Sequence, residues 1–422
     1  MPETAATPRL VSRLPRVGTT IFTTMSALAT EHGAINLGQG FPDFDCDPAL
    51  IECVERAMRA NLNQYPPMAG LPALREAVAG KIARMHGRRY DPAGEITITA
   101  GGTQAILTAI LAVVHPGDEV VVIEPVYDSY LPNIALAGGV AVRVPLRRAD
   151  VGGRPSAPEA GAAADDAPAI DAPAAPAGAT GFAIDWDALA AAITPRTRLV
   201  LINSPHNPTG ASLDDADLDR LAALVRGTDI LLLGDEVYEH MVFDGREHQS
   251  LARHDELAAR SFVVSSFGKT FHVTGWKVGY CAAPPALTAE FRKVHQFNVF
   301  TVNTPMQAGL ADYLRDPAPW RDLAGFYQRK RDRFRAGLAG SGFRLLPCSG
   351  TYFQCAEYAG VTAAPSGLSE LDFCRWLTTE VGVAAIPLSS FYDEPTENGI
   401  VRFCFAKRDD TLDEAIRRLA AL

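Results

Sequence analysis

From about residue 47 to residue 300 the chain alternates short, nearly unbroken apolar runs with stretches of helical periodicity. The runs are EITITA, DEVVVIEP, GGVAVRVPL, TRLVLINSP, DILLLGDEVY and SFVVSSFGK. Their Val, Ile and Leu content lacks the in-and-out alternation of a half-exposed strand, which suits strands covered on both faces. Between them, GTQAILTAILAVV and SLDDADLDRLAALVR repeat apolar residues at helical spacing. Strand and helix in alternation predict an α/β unit around a mainly parallel sheet. After about residue 300 the pattern changes to a long helical stretch, PWRDLAGFYQRKRDRFRAGLAGS, then separated strands GTYFQCAE and IVRFCFAK, and a closing helix DTLDEAIRRLAAL. That is the pattern of a smaller α+β unit. The expected division is 1–46 joining the small unit, 47–300 as the large unit and 301–422 as the small one.

Composition alters this picture in one place. Residues 151–181 consist almost wholly of Ala, Pro, Gly and Asp, which cannot bury enough apolar surface to offset their ordering entropy, so a disordered surface insert is expected there. The other 391 or so positions of the 422 follow an ordinary globular composition, 47% hydrophobic and 21% charged overall. A formal net charge of −10 disfavours nucleic acid and anionic membrane surfaces as partners, since both need a basic face. The seven cysteines form no CxxC pair and have no His-rich neighbourhood, so neither a metal site nor a disulfide framework is expected. The N-terminal MPETAATPRLVSRLPRVGTT lacks the apolar core of a secretory signal, and a cytoplasmic location follows as the expectation.

The chemistry-bearing motifs fall at the ends of the expected strands, where open α/β sheets place ligands. SSFGKTFHVTGWK sets Lys269 just after a buried strand, and a partly desolvated amine is what imine chemistry requires, although a lysine snorkelling at a strand end is the commoner case. In ILLLGDEVYEH, Asp235 ends an apolar strand, and a carboxylate at that depth calls for a cationic partner such as a pyridinium nitrogen. A helix N-cap or a metal ligand would also account for Asp235, though an N-cap leaves unexplained Tyr238 three residues on, which could reach a phenolate oxygen of the same ring. LVLINSPHNPTG runs a strand into a tight turn from which Asn207 can donate to that oxygen, while Asn-Pro alone marks only a turn. ITAGGTQAIL brings a strand into a Gly-Gly-Thr turn at a helix N-terminus, which makes Gly102 and Thr103 candidate phosphate binders, with Ser266 and Lys277 able to complete the cradle. It is neither a Walker loop nor a GxGxxG fingerprint. Tyr127, in EPVYDSY, offers a flat face for stacking. Arg402, in the otherwise apolar IVRFCFAK, could clamp a carboxylate or serve a structural ion pair.

In this order, the phosphate turn, the stacking aromatic, NSPHNPTG, DEVYEH, SSFGKTFHVTGWK and VRFCFAK resemble the fold-type I aminotransferases of class I/II, from about residue 20 to 420. NLGQGFPDF, NQYPPMAGLPALREAV, VHQFNVFTVNTPMQ and GVAAIPLSSFY are similar to the bacterial methionine aminotransferases, within the kynurenine aminotransferase/glutamine transaminase K group. The resemblance implies a large domain with a seven-stranded-type sheet plus a small domain, pyridoxal 5′-phosphate as cofactor, and ping-pong transfer of an amino group to a 2-oxo acid. It implies Lys269 as imine lysine and proton shuttle, Asp235 at the ring nitrogen, Asn207 and Tyr238 at the ring oxygen, and Tyr127 on the ring face. It implies Gly102, Thr103, Ser266 and Lys277 at the phosphate, joined by Tyr65 from the neighbouring subunit of a homodimer. Arg402 becomes the substrate-carboxylate clamp assisted by Gly38 and Asn207, and Phe22 and Phe300 join Tyr65 and Tyr127 as pocket walls. Two positions depart from the kynurenine pattern: Phe22 stands where a tryptophan is usual, and Thr301, after Phe300, where a histidine is usual. The expected donors are therefore methionine, aromatic amino acids and glutamine. A β-eliminating C–S lyase or an aminocyclopropane-carboxylate-type synthase uses the same lysine, aspartate and arginine. A cofactor-sensing regulator would need a DNA-binding domain, for which the roughly 20 residues before the matching region are too few.

Overall fold

The computed structural model describes residues 10–150, 180–394 and 396–422. The expected Ala/Pro-rich insert at 151–181 lies outside the described residues except for Thr180 and Gly181. These two belong instead to a strand, Thr180–Ala183, which pairs antiparallel with Arg147–Asp150.

All six apolar runs form strands: β1 (Ile96–Thr99), β2 (Glu119–Glu124), β3 (Val140–Pro145), β4 (Thr197–Asn203), β5 (Leu231–Asp235) and β6 (Ser261–Ser266). A seventh, β7 (Gly279–Ala282), comes from GYCA, a segment too short for periodicity to reveal. The strand order is β1-β7-β6-β5-β4-β2-β3. Neighbours from β6 through β3 pair parallel, whereas β7 runs antiparallel to both β1 and β6. An antiparallel strand enters the sheet at the edge where its neighbours leave it. The segment between β6 and β7, which contains Lys269 and Lys277, therefore never has to cross the sheet.

The unbroken apolar runs are explained by covering on both faces. In β2, Val121 and Ile123 join one core while Val120 and Val122 join another; in β4, Val200 and Ile202 separate from Leu199 and Leu201 in the same way. The first core is closed by α3 (Pro72–His86) and α6 (Asp215–Val225), through residues such as Val78, Ile82, Leu218 and Leu221. The second is closed by α4 (Gly101–Val113), α5 (Tyr130–Ala137) and α7 (Pro285–Asn298), through Ile106, Ile110, Ile134 and Phe291. Helix α6 starts on a capping box in which Asp214 and Asp217 each bond the other's backbone N–H, the arrangement that satisfies otherwise orphaned first-turn donors.

A second sheet, with strands β8 (Arg344–Leu345), β9 (Phe353–Glu357), β10 (Ile386–Pro387) and β11 (Ile400–Cys404), has the order β8-β9-β11-β10 and is antiparallel throughout. Its core takes in α9 (Leu323–Gly337), α10 (Asp409–Leu419) and, from the chain start, Met25 of α1 (Ile21–Glu31) and Leu37. The long helical stretch expected after residue 318 is broken: a single turn, Ala318–Arg321, precedes α9. Helix α8 (Thr304–Tyr313) packs on α2 (Pro48–Arg59) and α3, and Leu310, Leu314 and Trp320 lie in the core of the large sheet. We therefore propose that the units divide near residue 322 rather than at 300, because apolar burial groups 301–320 with the large sheet.

The contact between α2 and α8 depends on Gly309. A Cβ there would stand 2.9 Å from both the backbone N and the Cα of Val54, which no side-chain rotation relieves. Gly309→Ala should lower stability by about 1–2 kcal/mol, the cost of overpacking less a gain in helix propensity. Gly325→Ala in α9 would meet only the flexible Arg329 side chain, at 3.5 Å, and should be neutral or stabilising. Denaturant titration of the two variants beside the parent checks the contrast.

Candidate active site

The carboxyl ends of β1, β4, β5 and β6 converge at one edge, where a cavity of about 250 Å³ opens. In register, Asn203 at the end of β4 pairs with Asp235 at the end of β5, and Gly279 at the start of β7 pairs with both Ser266 and Thr99. Helix α4 begins two residues after β1 with Gly101 at φ +81°, a conformation that costs a glycine nothing. A Cβ on Gly101 would lie 3.4 Å from Lys277 Nζ. The ammonium is therefore poised over the helix N-terminus, positive charge facing positive dipole, an arrangement that an anion between them would stabilise.

Lys269 lies in the single turn Phe267–Thr270 that follows β6. Its Nζ donates to the Gly40 carbonyl at 3.3 Å, and burial lowers the amine to about 8, with Cys404 and Asp235 opposing the shift and Lys277 and Arg402 adding to it. Asp235 is buried, and burial raises its carboxyl to about 6 although the Tyr130 hydroxyl, the Val237 N–H and Lys269 pull it down. The same low-dielectric surroundings thus move acid and base toward each other. The turn behind Asp235 is anchored from below. Glu236 accepts from the Leu251 N–H at 2.9 Å, and Glu239 meets Lys81 at 2.6 Å and the Tyr280 hydroxyl at 2.9 Å. Burial disfavours the Glu239 charge, but Lys81, His240 and His86 outweigh it and hold the carboxyl well below its usual range.

Arg402 stands in β11 of the small sheet, 1% exposed. Its Nη1 donates to Asn207 Oδ1 at 2.7 Å and its Nη2 to the Gly38 carbonyl at 3.0 Å. The guanidinium carbon lies 3.9 Å from the Phe353 ring centre, 4.8 Å from Phe391 and 5.4 Å from Phe22. Among the described residues Arg402 makes no ion pair and its Nε has no partner. A structural ion pair is therefore not its role within these residues. Buried cations are ordinarily paired, so a carboxylate brought by a ligand would complete the arrangement. With Oδ1 taken by Arg402, Asn207 keeps its amide nitrogen for a ligand, and its own N–H is held by Asn203 Oδ1 at 2.8 Å.

The structure brings Gly102, Thr103, Tyr127, Asn207, Asp235, Tyr238, Ser266, Lys269, Lys277, Arg402 and Phe22 around this one cavity. Gly38 meets it through Arg402. Tyr65 and Phe300 do not line it: they pack edge to face against one another, centroids 5.2 Å apart, at the surface. Three further residues, none of them expected from the sequence, support the site. Tyr130 bonds Asp235, Asn203 props Asn207, and the Tyr352 hydroxyl donates to the Gly40 carbonyl at 2.6 Å. Only Asn203 carried a signal, as the polar residue that closes an apolar strand.

Lys269, Lys277 and Arg402 lie around a cavity with one buried carboxylate, in a chain whose net charge is −10. Such a site selects a ligand with at least two anionic groups. A dianionic phosphate at Gly102, Thr103, Ser266 and Lys277, a protonated ring nitrogen at Asp235 and a carboxylate at Arg402 would match the donors present and the one carboxylate acceptor. The residues fit pyridoxal 5′-phosphate with an amino acid beside it.

Residues 32–419 match the family described as aminotransferase class I and II. The methionine aminotransferase of Escherichia coli is 45% identical over 412 residues, 97% of this chain and 98% of that protein. The solved structure of an Escherichia coli protein with a methionine aminotransferase function superposes with a TM-score of 0.88, covering 99% of this chain and all of that one. A probable N-succinyldiaminopimelate aminotransferase of Mycobacterium tuberculosis is 43% identical, with 98% of each chain covered. Human kynurenine–oxoglutarate transaminase 1 is 32% identical, with 93% of each covered.

The raised Asp235 carboxyl carries a stability consequence. A carboxyl whose folded value is raised contributes stability at low pH and loses it as pH climbs from the ordinary 3.8 through about 6. Above that range the cofactor-free protein bears a buried charge that Asp235→Asn removes. The cofactor-free variant should therefore melt several degrees higher than the parent at pH 8, and the gap should shrink as pH falls below about 6. Thermal scans of both proteins from pH 5 to 8 check the sign.

Proposed function

The chain belongs to the class I and II aminotransferases, and we propose that it moves the amino group of methionine, and of amino acids with aromatic or amide side chains, to a 2-oxo acid in two alternating half-reactions. Its cofactor is pyridoxal 5′-phosphate, as in the family. When bound, that group supplies an aldehyde carbon to take up the amino group and a protonated ring to draw off the electron pair released at the substrate Cα. Lys269 would attach it. The single observation that carries this reading is the buried, unpaired Arg402 across the cavity from a lysine whose amine burial lowers to about 8.

Each residue then has a task set by its surroundings. Lys277, Ser266, Thr103 and Gly102 would hold the phosphate at the α4 N-terminus. Asp235 would keep the ring nitrogen protonated, and Asn207 and Tyr238 would donate to the ring oxygen. Arg402 would grip the substrate carboxylate in bidentate geometry, which directs the Cα–H bond toward Lys269. An amine near pH 8 can both take and return that proton at neutral pH.

Side-chain preference follows from the walls. Phe22, Tyr127 and Phe353 line the cavity, and its three cations already have tasks. Among the described residues no further cation lies there for a second substrate carboxylate. This supports methionine over aspartate, and over the more acidic donor named for the mycobacterial relative. We also propose a homodimer. Tyr65, Phe297 and Phe300 are 80%, 90% and 45% exposed, an aromatic patch unusual on a lone subunit, from which Tyr65 and Phe300 could reach a neighbour's site. All seven cysteines are free thiols, which agrees with a cytoplasmic location. Among the described residues no helix is long and apolar enough to cross a membrane.

Steady-state turnover of methionine, phenylalanine, glutamine, kynurenine and aspartate against a panel of oxo acids tests the substrate class: methionine should lead, aspartate should trail by at least about a hundredfold, the order of one unpaired buried charge, and a preference for aspartate would contradict the proposal. Lys269→Ala should abolish turnover and the visible absorbance of the attached cofactor. The neutral amine is the attacking form, so cofactor attachment to the cofactor-free protein should accelerate about tenfold per pH unit below about 8 and level off above it. Stopped-flow absorbance at pH 6–10 measures this, and a rate still climbing at pH 10 would place the amine at its ordinary value.

A further inference from the structure

Tyr130 opens α5 and is 2% exposed. Its hydroxyl donates to Asp235 Oδ2 at 2.5 Å, whereas Oδ1 has only the Val237 N–H at 3.4 Å. On its other side the Tyr130 ring meets the ring of Tyr127 edge to face, centroids 5.6 Å apart at 84°. One side chain thus touches both the carboxylate assigned to the ring nitrogen and the aromatic assigned to the ring face. Burial and the Asp235 charge push the Tyr130 phenol well above its ordinary range, so it stays a donor at every working pH. A donor that cannot be lost commits Oδ2 and leaves Oδ1 as the oxygen able to take a second, stronger partner.

We propose that Tyr130 is a positioning residue, whose hydroxyl locks the Asp235 carboxylate so that Oδ1 faces the cofactor's ring nitrogen and whose ring braces Tyr127 against the ring face. This rests on the assignment of Asp235 to the ring nitrogen. The hydroxyl function and the bracing function separate cleanly, because Tyr130→Phe removes the first and retains the second. A hydrogen bond to a buried charged group is strong enough for its loss to be read directly in ligand affinity.

The test is equilibrium binding to the cofactor-free protein of two probes, pyridoxal 5′-phosphate and its carbocyclic analogue, in which a C–H replaces the ring nitrogen. Tyr130→Phe should weaken pyridoxal phosphate binding by about tenfold, and should move the acid limb of that binding about one pH unit upward. Affinity for the carbocyclic analogue should stay unchanged. Equal weakening for both probes would reduce Tyr130 to a structural brace and overturn the proposal, as would no change for either. 4-Aminophenylalanine at position 130, which restores an N–H donor, should recover the selectivity, and it serves the same purpose should the Phe variant melt early. Asp235→Asn measured in parallel separates the two failures. If it does not discriminate between the probes, the assignment of Asp235 itself is wrong; if it does and Tyr130→Phe does not, only the role given to Tyr130 falls.

Discussion

The hydrogen bond from Arg402 Nη1 to Asn207 Oδ1 joins parts of the chain that share no sheet. Arg402 belongs to the central region of the small antiparallel sheet, Asn207 to the turn that leaves β4 of the large one, and Gly38, the guanidinium's other acceptor, to the N-terminal segment. A buried guanidinium has to find acceptors in place of water. It finds two neutral ones here and no carboxylate, and it packs its faces on Phe353, Phe391 and Phe22. At the point where the two units meet, the pocket therefore presents a buried cation with no counter-charge in contact among the described residues.

The rest of the site follows from the same shortage of water. Burial raises the Asp235 carboxyl and lowers the Lys269 amine, so both become poised near neutrality without any specific catalytic partner forcing them. Stability and function oppose one another at these residues: the charges that disfavour the cofactor-free fold are those that a phosphate, a pyridinium and a carboxylate would complete. The pair of Glu239 and Lys81 beneath the turn has the contrary character, fully partnered and outside the cavity lining, and it anchors the turn that carries Asp235 and Tyr238.

Much of this was legible in the chain because most of the chemical residues end or closely follow a strand. The apolar runs reported the six parallel-type strands, and Lys269, Asp235 and Gly102 follow them closely enough that strand ends sharing one edge must gather their side chains. Strand β7 was not legible, since four residues carry no period. Its antiparallel course nevertheless keeps Lys277 at the same edge as Lys269. Tyr130 and Tyr352 were not legible either, because a buried hydroxyl looks like any core aromatic until its partner, 105 residues away in the case of Asp235, is known.

The sequence by itself determined the α/β architecture, the order of the motifs and the family, because these are written in local periodicity and in residues adjacent along the chain. Tertiary structure alone decided that Arg402 makes no ion pair in contact among the described residues, that Tyr65 and Phe300 face outward together, and that residues 301–320 pack with the large sheet. Those outcomes depend on which surfaces exclude water from which charges, and that is a property of the packed chain rather than of any segment of it.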